Sequence, residues 1–307
     1  MLNTDASELF ALVEAGGTKF ICAVADENGQ IQSQTRIQTT TSERTLGEVV
    51  AFFRAQTLAL GGLSAIAVGS FGPVDNDPSS HHYGYVLSTP KPGWSDTNLL
   101  GHLTSELNLP GVIDTDVNAA ALGEYKFGAA RECRSVCYVT VGTGVGVGLC
   151  IDGSCFPRST HSEVGHIRVP RAHGDSFEGI CPYHQDCLEG LACGPALNAR
   201  WGQPAETLPQ NHPAWNIEAH YLACLCQNLV YTVRPDRIVL GGGVFNNGWL
   251  IDRVRAKLAE SLAGYALRDT EQDMSLFLRS PGCLDAPPAI LGTLEMAKAL
   301  GKTAVVD

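Results

Sequence analysis

The sequence has few basic residues and no long apolar run. Its 21 Lys and Arg residues are outnumbered by 32 Asp and Glu residues, which gives a formal net charge of −11. Because an acidic surface does not attract nucleic acid or anionic lipid, we expect neither as a partner. No apolar stretch approaches the roughly 20 residues that span a bilayer. The first residues carry Asp5 and Glu8, where a secretion signal needs basic residues. These absences predict a cytoplasmic protein.

The sequence also lacks the cysteine pattern of a disulfide-bonded domain. The 11 cysteines are an odd number, and most of them stand alone in apolar surroundings. Examples are Cys22, Cys137, Cys150, Cys224 and Cys226. Isolated cysteines of this kind are typical of reduced thiols in a protein core. Only Cys181 and Cys187 have neighbours that suggest chemistry.

A weak internal repeat predicts two α/β lobes. The 307 residues, 44% apolar and 17% charged, suit a globular protein of two medium domains. Near the start of each half, two predicted strands flank a glycine-threonine turn. These pairs are Leu9–Val13 with Phe20–Ala25, and Ser135–Val141 with Val145–Ile151. A duplicated lobe is the simplest architecture that produces such a repeat.

The lobe boundaries follow from the predicted helices. A helix from Pro288 to Leu300 is expected to cross back onto the first lobe. We therefore expect a small N-terminal lobe of residues 1–118 with 290–307, and a larger lobe of residues 119–289. Further helices are predicted after an N-cap at Ser42 and over Leu188–Arg200.

Three glycine-rich turns follow predicted strands. They are Gly16-Gly17-Thr18-Lys19, Gly142-Thr143-Gly144-Val145-Gly146 and Gly241-Gly242-Gly243, named here the first, second and third glycine loops. Glycine lets backbone N–H groups approach an anion, and open α/β sheets bind ligands at the carboxyl ends of strands. Singly, each loop could be a hairpin turn or a β-bulge. Together they predict a phosphate site, and the Walker, dinucleotide and protein-kinase patterns are absent.

A carboxylate pair lies where a predicted strand meets a helix, in Asp114-Thr115-Asp116-Val117-Asn118. Alternation along the strand places Asp114 and Asp116 on one face, and Asn118 enters the helix. Phosphoryl transfer to an alcohol needs one carboxylate that orients the hydroxyl and accepts its proton. The alternative is that Asp116 only caps the helix N-terminus.

The stretch of residues 161–190 predicts a zinc element. His166, Cys181, His184 and Cys187 supply two imidazoles and two thiolates, which is a donor set of tetrahedral zinc. Four ligands complete the coordination shell, so the metal is expected to be structural. His161 and His173 are alternative ligands, and a redox or incidental cluster is the other interpretation.

In this order the motifs resemble the ROK family of bacterial sugar kinases, and most closely its zinc-containing fructokinases. The resemblance runs from about Phe10 to Leu300. The motifs that carry it are Glu14 to Lys19, Ser70 to Asp75, Asp114 to Ala120, Gly142 to Gly146, Glu163 to His166, Cys181 to Glu189 and Gly241 to Val244. Glu14 stands where most of the family has Asp, and the fructokinase-like branch shares the glutamate.

The resemblance implies a two-lobed hexokinase/actin-like ATPase fold, made of duplicated ribonuclease H-like domains with an inserted zinc-binding element. It implies ATP and Mg²⁺ as the donor complex, transfer to the 6-hydroxyl of a hexose, and Asp116 as general base. The implied sugar-binding residues are Gly72, Pro73, Gly93, Trp94, Asn118, Glu163, His166 and Glu189. The implied ATP-binding residues are Gly16, Gly17, Thr18, Lys19, Gly142, Thr143, Gly144, Gly241, Gly242, Gly243 and Val244.

The resemblance also assigns zinc to His166, Cys181, His184 and Cys187. One ring nitrogen of His166 would then bind the metal, and the other would be free to meet a sugar hydroxyl. The family is usually dimeric, and Trp215 or a helix over residues 216–233 could supply the apolar surface of a homodimer.

Two alternatives concern the function itself. Fructose competes as acceptor with glucose, mannose and N-acetylated amino sugars, and the sequence does not separate them because single pocket contacts decide such preferences. The family also contains sugar-responsive transcription repressors, which carry an N-terminal helix-turn-helix region. Here the first strand is predicted by about Leu9 and the net charge is −11, so we expect an ATP-dependent kinase.

Overall fold

The described residues form two five-stranded sheets, one two-stranded sheet of Tyr85–Val86 with Thr97–Asn98, and the helices packed on them. The computed structural model describes residues 7–157, 160–265, 267–283 and 286–303, so the ends of the predicted N-terminal lobe at 1–6 and 304–307 lie outside the described residues. The strands are β1 (Leu9–Ala15), β2 (Lys19–Asp26), β3 (Ile31–Gln38), β4 (Ala65–Ser70), β5 (Tyr85–Val86), β6 (Thr97–Asn98), β7 (Gly111–Thr115), β8 (Ser135–Val141), β9 (Val145–Ile151), β10 (Ser154–Phe156), β11 (Arg237–Gly241) and β12 (Leu278–Arg279). The helices are α1 (Ser42–Leu60), α2 (Leu99–Leu107), α3 (Asp116–Lys126), α4 (Leu188–Ala192), α5 (Gly194–Trp201), α6 (Ala214–Thr232), α7 (Leu250–Leu262), α8 (Asp269–Gln272), α9 (Met274–Phe277) and α10 (Pro288–Thr303).

The two sheets repeat one topology. Their strand orders are β3-β2-β1-β4-β7 and β10-β9-β8-β11-β12. In each sheet the first three strands along the chain form an antiparallel meander. Two further strands are then added parallel to the first strand of the meander. The predicted two-lobed fold with duplicated α/β lobes is confirmed.

The core strands are buried on both faces, and alternate residues enter different cores. In β1, Ala11 and Val13 pack against the face covered by α1 and α2, while Phe10 and Leu12 pack against α10. In β8, Cys137 and the valines after it face the core under α6 and α7, while Tyr138 faces α3. This period of two is what a strand with a helix layer on each side requires.

Helices α3 and α10 cross between the lobes with their backbones in contact. A Cβ on Gly292 would overlap the carbonyl oxygen of Ala119, and a Cβ on Gly123 would overlap that of Pro288. Helix α3 packs on β8 and β9 of the second sheet, whereas α10 packs on β1 and β4 of the first. The last helix therefore packs on the first lobe, as predicted, and a division at about residues 118 and 290 remains our proposal.

Two local predictions were wrong, for identifiable reasons. Helix α1 begins at Ser42, but its N-cap is Thr41, whose Oγ1 accepts a hydrogen bond from the Arg44 amide. The predicted helix over Leu188–Arg200 is divided at Cys193, whose backbone is extended. Pro195 follows at the start of α5, and a proline cannot continue a helix because it has no N–H to donate.

Trp215 does not provide an apolar surface. Its indole is fully buried in the larger lobe, where Nε1 donates to the carbonyl of Pro209 and the ring meets Trp249 edge-on. A large aromatic side chain with a satisfied N–H gains most when it is buried. The expectation that Trp215 forms a dimer interface is therefore wrong.

The thiols and the helix lengths agree with the sequence analysis. All 11 cysteines are free thiols. In the part of the chain that the structure describes, every helix is too short or too polar to cross a membrane.

Gly292→Ala should lower the melting temperature. The added methyl has no space against Ala119, so the helices must separate, and overpacking of this kind typically costs about 1–3 kcal/mol. The control is Gly47→Ala in α1, where a Cβ meets no atom within 4 Å. That change should stabilise the exposed helix by up to ~1 kcal/mol. Thermal unfolding of both variants checks the prediction, and equal melting temperatures would contradict it.

Candidate active site

Asp116 is the first residue of α3 and does not cap it. The N-cap is Thr115, whose Oγ1 accepts a hydrogen bond of 3.1 Å from the Asn118 amide. Asp116 follows the last strand of the first sheet, and its Oδ1 accepts from the Val117 amide at 2.8 Å. Because Thr115 satisfies the helix end, the capping interpretation does not account for Asp116.

Asp116 lines a cavity of about 50 Å³ between the lobes, which we name the carboxylate cavity. Its walls are formed by Glu14, Asp116, Val117, Ala120, Tyr138, Thr140, Pro288 and Ala289. Burial and, to a lesser extent, the negative charge of Glu14 raise the pKa of Asp116 to about 7. A carboxylate with a near-neutral pKa can accept a proton from an alcohol that is held against it.

Glu14 is the second acidic group of this cavity. Burial raises its pKa, although the charges of Lys19 and Arg36 act in the opposite direction. Its Oε2 is buried and has no hydrogen-bond partner among the described residues. A buried carboxylate oxygen without a partner is costly, and two carboxylates beside one cavity form a donor set that suits a hard cation such as Mg²⁺.

Asp114 has a different environment from Asp116. Its Oδ1 accepts hydrogen bonds from the side-chain amides of Asn76 at 2.9 Å and Asn118 at 2.8 Å, and from the Thr115 amide at 2.7 Å. These bonds hold Asp114 as an acceptor at the end of β7. Asn118, predicted to bind sugar, is buried, and its amide is engaged by Asp114. Asp114 therefore organises the turn that carries Asp116.

Three of the predicted sugar-binding side chains lie together. Glu163, His166 and Glu189 meet with His166 Nε2 at 3.9 Å from Glu163 Oε2 and 4.0 Å from Glu189 Oε1. His161 joins them, because its Nε2 lies 2.9 Å from Glu163 Oε1. This hydrogen bond is the largest factor that lowers the pKa of Glu163. We name these four residues the histidine–carboxylate cluster.

The predicted turn at Gly72-Pro73 lies against this cluster from the other lobe. A Cβ on Gly72 would stand 3.6 Å from His161 Nε2 and 3.7 Å from Glu163 Oε1. The turn and the cluster therefore form two sides of one interlobe site.

Trp94, predicted to lie near the sugar, is a core residue. Its side chain is fully buried, its ring packs against Phe20 and Phe71, and its Nε1 donates to the Thr40 carbonyl at 2.8 Å. No part of the indole is available to a ligand in this structure. Gly93 beside it is exposed and has a φ of +75° next to Thr41. Trp94 thus packs against Phe71, the residue before Gly72, and supports the Gly72-Pro73 turn from the core.

The first and second glycine loops occupy equivalent hairpin ends of the two lobes, and the third follows the neighbouring strand of the second sheet. The first connects β1 to β2, the second connects β8 to β9, and the third follows β11. A Cβ on Gly142 would stand 4.0 Å from the Gly243 nitrogen, so the second and third loops are adjacent. Thr18, Lys19 and Thr143 are exposed. Val244, predicted to contact ATP, has a side chain buried in the core of the larger lobe.

Gly144 connects the second glycine loop to the histidine–carboxylate cluster. A Cβ at this position would overlap Glu189 Oε2, which instead accepts a hydrogen bond of 2.9 Å from the Val145 amide. The other carboxylate oxygen of Glu189 faces His166. Glu189 therefore contacts both the second glycine loop and His166 of the histidine–carboxylate cluster.

Lys91 was not among the site residues expected from the sequence. This half-buried lysine precedes the Gly93-Trp94 pair, and its Nζ donates a hydrogen bond to the Gly17 carbonyl of the first glycine loop. Seventy-four residues separate the two groups, so no local pattern indicates the contact. Lys91 brings a positive charge to a loop where the exposed Lys19 was the expected cation.

His166, Cys181, His184 and Cys187 form a group whose ligand atoms all lie within 4.8 Å of one another. His166 Nδ1 is 3.4 Å from Cys187 Sγ and 3.7 Å from Cys181 Sγ, and His184 Nδ1 is 3.8 Å from Cys181 Sγ. Ligand atoms of tetrahedral zinc with bonds of about 2.0–2.3 Å lie roughly 3.5 Å apart. The group can therefore hold a metal ion, and it consists of the four residues predicted from the sequence.

The surrounding backbone explains this convergence. A tight turn pairs Cys181 with Gln185 in both directions, and Cys187 occupies the N-cap position of α4. His166 enters from a single 3₁₀ turn over Val164–His166. Without a cation, burial raises the pKa of the Cys187 thiol to about 11, so metal binding must displace its proton. Of the two alternative ligands, His161 is hydrogen-bonded to Glu163, and His173 is exposed and lies outside the metal group.

Comparison with known proteins gives matches over nearly the whole chain. The model of the ROK family matches residues 10–279. A fructokinase of Pediococcus pentosaceus is 42% identical over 296 residues, which are 96% of this chain and 100% of that protein. A fructokinase of Streptococcus mutans is 39% identical over 295 residues, 95% of this chain and 98% of that protein.

A solved structure gives the same result for the fold. The crystal structure of a ROK family glucokinase from Streptomyces griseus, in complex with glucose and AMPPNP, superposes with a TM-score of 0.74 at 25% identity. The match covers 95% of this chain and 99% of that chain. The likeness therefore includes both lobes.

Cys187→Ser should remove a bound metal ion. The serine hydroxyl is a poor substitute for a thiolate, so we expect one metal ion per wild-type chain and none in the variant. Loss of the ion should also lower the melting temperature, because metal affinity contributes to folding. Elemental analysis and thermal unfolding measure both effects, with Cys133→Ser, a thiol outside the group, as control. A metal-free wild type, or a variant that keeps its metal, would refute the site.

Proposed function

Since the chain belongs to the ROK family, we propose that it is an ATP-dependent sugar kinase that phosphorylates the 6-hydroxyl of a hexose, with D-fructose as the preferred acceptor. The observation that carries the proposal is Asp116, half-buried with its pKa raised to about 7 in a cavity between two lobes that both carry glycine loops. The choice of fructose rests on the similarity to fructokinases over nearly the full length.

We propose that Asp116 is the general base. As the sugar hydroxyl oxygen attacks the γ-phosphorus, the carboxylate accepts the hydroxyl proton, and the bond from phosphorus to the leaving oxygen of ADP breaks. Burial supports this role, because the desolvated carboxylate is basic enough to take a proton near neutral pH. Asp114 and its partner Asn118 keep the turn in place.

The residues of the carboxylate cavity fit Mg²⁺. Glu14 would supply the carboxylate ligand, because its unpartnered Oε2 would gain a partner, and Asp116 would stay free for the sugar hydroxyl. When bound with ATP, the ion neutralises phosphate charge. The chain's own contribution is to hold these two carboxylates in a space of about 50 Å³, roughly enough for a few water molecules.

The glycine loops are the proposed ATP site. Gly17 and Thr18 in the smaller lobe, and Thr143 and Gly144 in the larger lobe, would donate to phosphate oxygens. The amides of Gly16 and Gly142 shape these turns instead, because they donate to the carbonyls of Lys19 and Gly144. Lys91 adds positive charge at the first loop, beside the exposed Lys19. The third loop, Gly241–Gly243, would lie against the adenosine. There Val244 can contribute only its backbone, because its side chain is buried.

The proposed acceptor site is the histidine–carboxylate cluster with the Gly72-Pro73 turn. Zinc fits the two thiolates and two imidazoles of the metal group, and His166 Nδ1 faces that group. A metal on Nδ1 places the remaining proton on Nε2, which points between Glu163 and Glu189. The ring would then donate a hydrogen bond toward the sugar from a fixed orientation.

We propose the cytoplasm as the compartment, which suits an ATP-dependent enzyme with free thiols. We also propose a homodimer, by analogy with the family. Since Trp215 is buried, the proposed contact is the helix over residues 216–233, where Tyr231 and Val233 are exposed.

Asp116→Asn should lower kcat by about 10²–10⁴ and leave the KM for the sugar within a few-fold. The amide is nearly isosteric but accepts no proton. A coupled ADP-release assay over D-fructose, D-glucose, D-mannose and N-acetylated amino sugars gives both constants. Asp252→Asn, an exposed change on α7, serves as control and should have wild-type activity. A near-normal rate in the Asp116 variant would reject the assignment.

The pH–rate profile should have an acid limb near pH 7. Because only deprotonated Asp116 is a base and its pKa is raised to about 7, kcat/KM for the sugar should fall tenfold per pH unit below that value. Initial rates from about pH 5 to 8.5 at saturating Mg-ATP test this. A wild-type limb at about pH 4 would contradict it.

A further inference from the structure

We propose that His161 is an additional acceptor-binding residue, which orients Glu163 through Nε2 and accepts a hydrogen bond from a hexose hydroxyl at Nδ1. The inference deepens the proposed function and rests on it. In the sequence analysis His161 entered only as an alternative zinc ligand.

The two ring nitrogens of His161 have unequal surroundings. Nε2 lies 2.9 Å from Glu163 Oε1, whereas Nδ1 is buried and has no hydrogen-bond partner among the described residues. The side chain is 12% exposed, while that of Glu163 is 56% exposed. Buried polar atoms normally have partners, so an unpaired one beside an open carboxylate is in the position of a ligand contact.

The tautomer decides what Nδ1 can bind. Glu163 Oε1 lies 2.9 Å from His161 Nε2, and a carboxylate oxygen is an acceptor, so His161 Nε2 carries the proton. In the neutral ring this leaves a lone pair on Nδ1, which can accept from a hydroxyl. Sugar hydroxyls are such donors, and they can donate to Nδ1 while accepting from other groups.

The location of His161 is that of the acceptor site. Gly72, from the predicted sugar turn, lies against its Nε2. The preceding carbonyl, of Thr160, accepts from the Asn76 amide at 3.3 Å, and Asn76 also donates to Asp114. His161 is thus held at the junction of the base-bearing turn and the histidine–carboxylate cluster.

The metal group does not compete for this histidine. His166, Cys181, His184 and Cys187 converge without His161. Metal content therefore separates the two roles: a zinc ligand would lose metal on substitution, and an acceptor-binding residue would not.

Three substitutions at His161 distinguish the roles of its two ring nitrogens. His161→Ala removes both, His161→Gln keeps a polar group near the Nε2 position, and His161→Asn keeps one near the Nδ1 position. We expect the KM for D-fructose to rise tenfold or more in the Ala and Gln variants, with a smaller rise in the Asn variant. The KM for ATP should stay within twofold, and the metal content should equal that of wild type. His173→Ala, an exposed histidine of the same stretch, is the matched control and should behave as wild type.

Calorimetric titration of D-fructose, D-glucose and D-mannose into each folded protein supplies a readout that does not depend on turnover. Weaker fructose binding in the Ala and Gln variants, with unchanged melting temperature and metal content, supports the inference. If wild type phosphorylates a hexose but the variants keep its KM and affinity, the His161 assignment falls and the proposed function stands. Loss of metal in the Ala variant would make His161 a metal ligand and overturn the proposal. If wild type neither binds nor phosphorylates any of these sugars, both are wrong.

Discussion

The backbone contact between α3 and α10 sets the distance between the two lobes, and the carboxylate cavity depends on that distance. Helix α3 begins with Asp116 and α10 begins with Pro288, so the first residues of both helices form walls of the cavity. Other walls come from the sheets, through Glu14 and Tyr138. If a side chain stood at Gly292, the helices would separate and water would reach Asp116. Its pKa would then fall toward the value of an ordinary aspartate, and the base would be weaker.

The charge of the protein makes the location of each cation and amide important. A chain with a net charge of −11 repels polyphosphate, and the carboxylate pair in the cavity adds to that repulsion. The structure offsets it locally with backbone amides of loops from both lobes and with Lys91 at the first loop. The same acidity is useful where the chemistry needs it, because Glu14 helps to raise the pKa of Asp116. Binding of the phosphate donor thus depends on the amides of the first glycine loop, and the basicity of Asp116 depends on Glu14, which lies only a few residues before that loop.

Much of this site could be predicted from short sequence motifs. The glycine loops, Asp116 and the four metal-group residues were found because each follows a strand end or lies in a short loop, where sequence spacing limits spatial spacing. The strand pattern also repeated closely enough to predict the duplicated lobe. Helix limits were less certain, since the Cys193 break depends on a single proline two residues later.

What the sequence did not reveal depends on tertiary burial and long-range contacts. Trp94 was expected near the sugar and Trp215 at a dimer interface. Each is instead fully buried, and its indole N–H donates to a backbone carbonyl. Lys91 reaches a loop 74 residues away, and the pairing of Glu14 with Asp116 spans the first sheet. No periodicity encodes such contacts, because they follow from how the loops fold over the strand ends.

The metal element is connected to the phosphate side of the site through two residues. His166 has one ring nitrogen toward the thiols and the other toward Glu163 and Glu189. Glu189 in turn accepts from the Val145 amide in the second glycine loop, a contact that only a glycine at position 144 permits. The segment of residues 161–190, which holds the metal group, has little regular secondary structure. Ion pairs stabilise it, among them the buried pair of Arg200 with Asp175. A metal that fixes the ring plane of His166 would therefore also limit where Glu189 can stand, so the sugar and phosphate sides would be positioned together rather than separately.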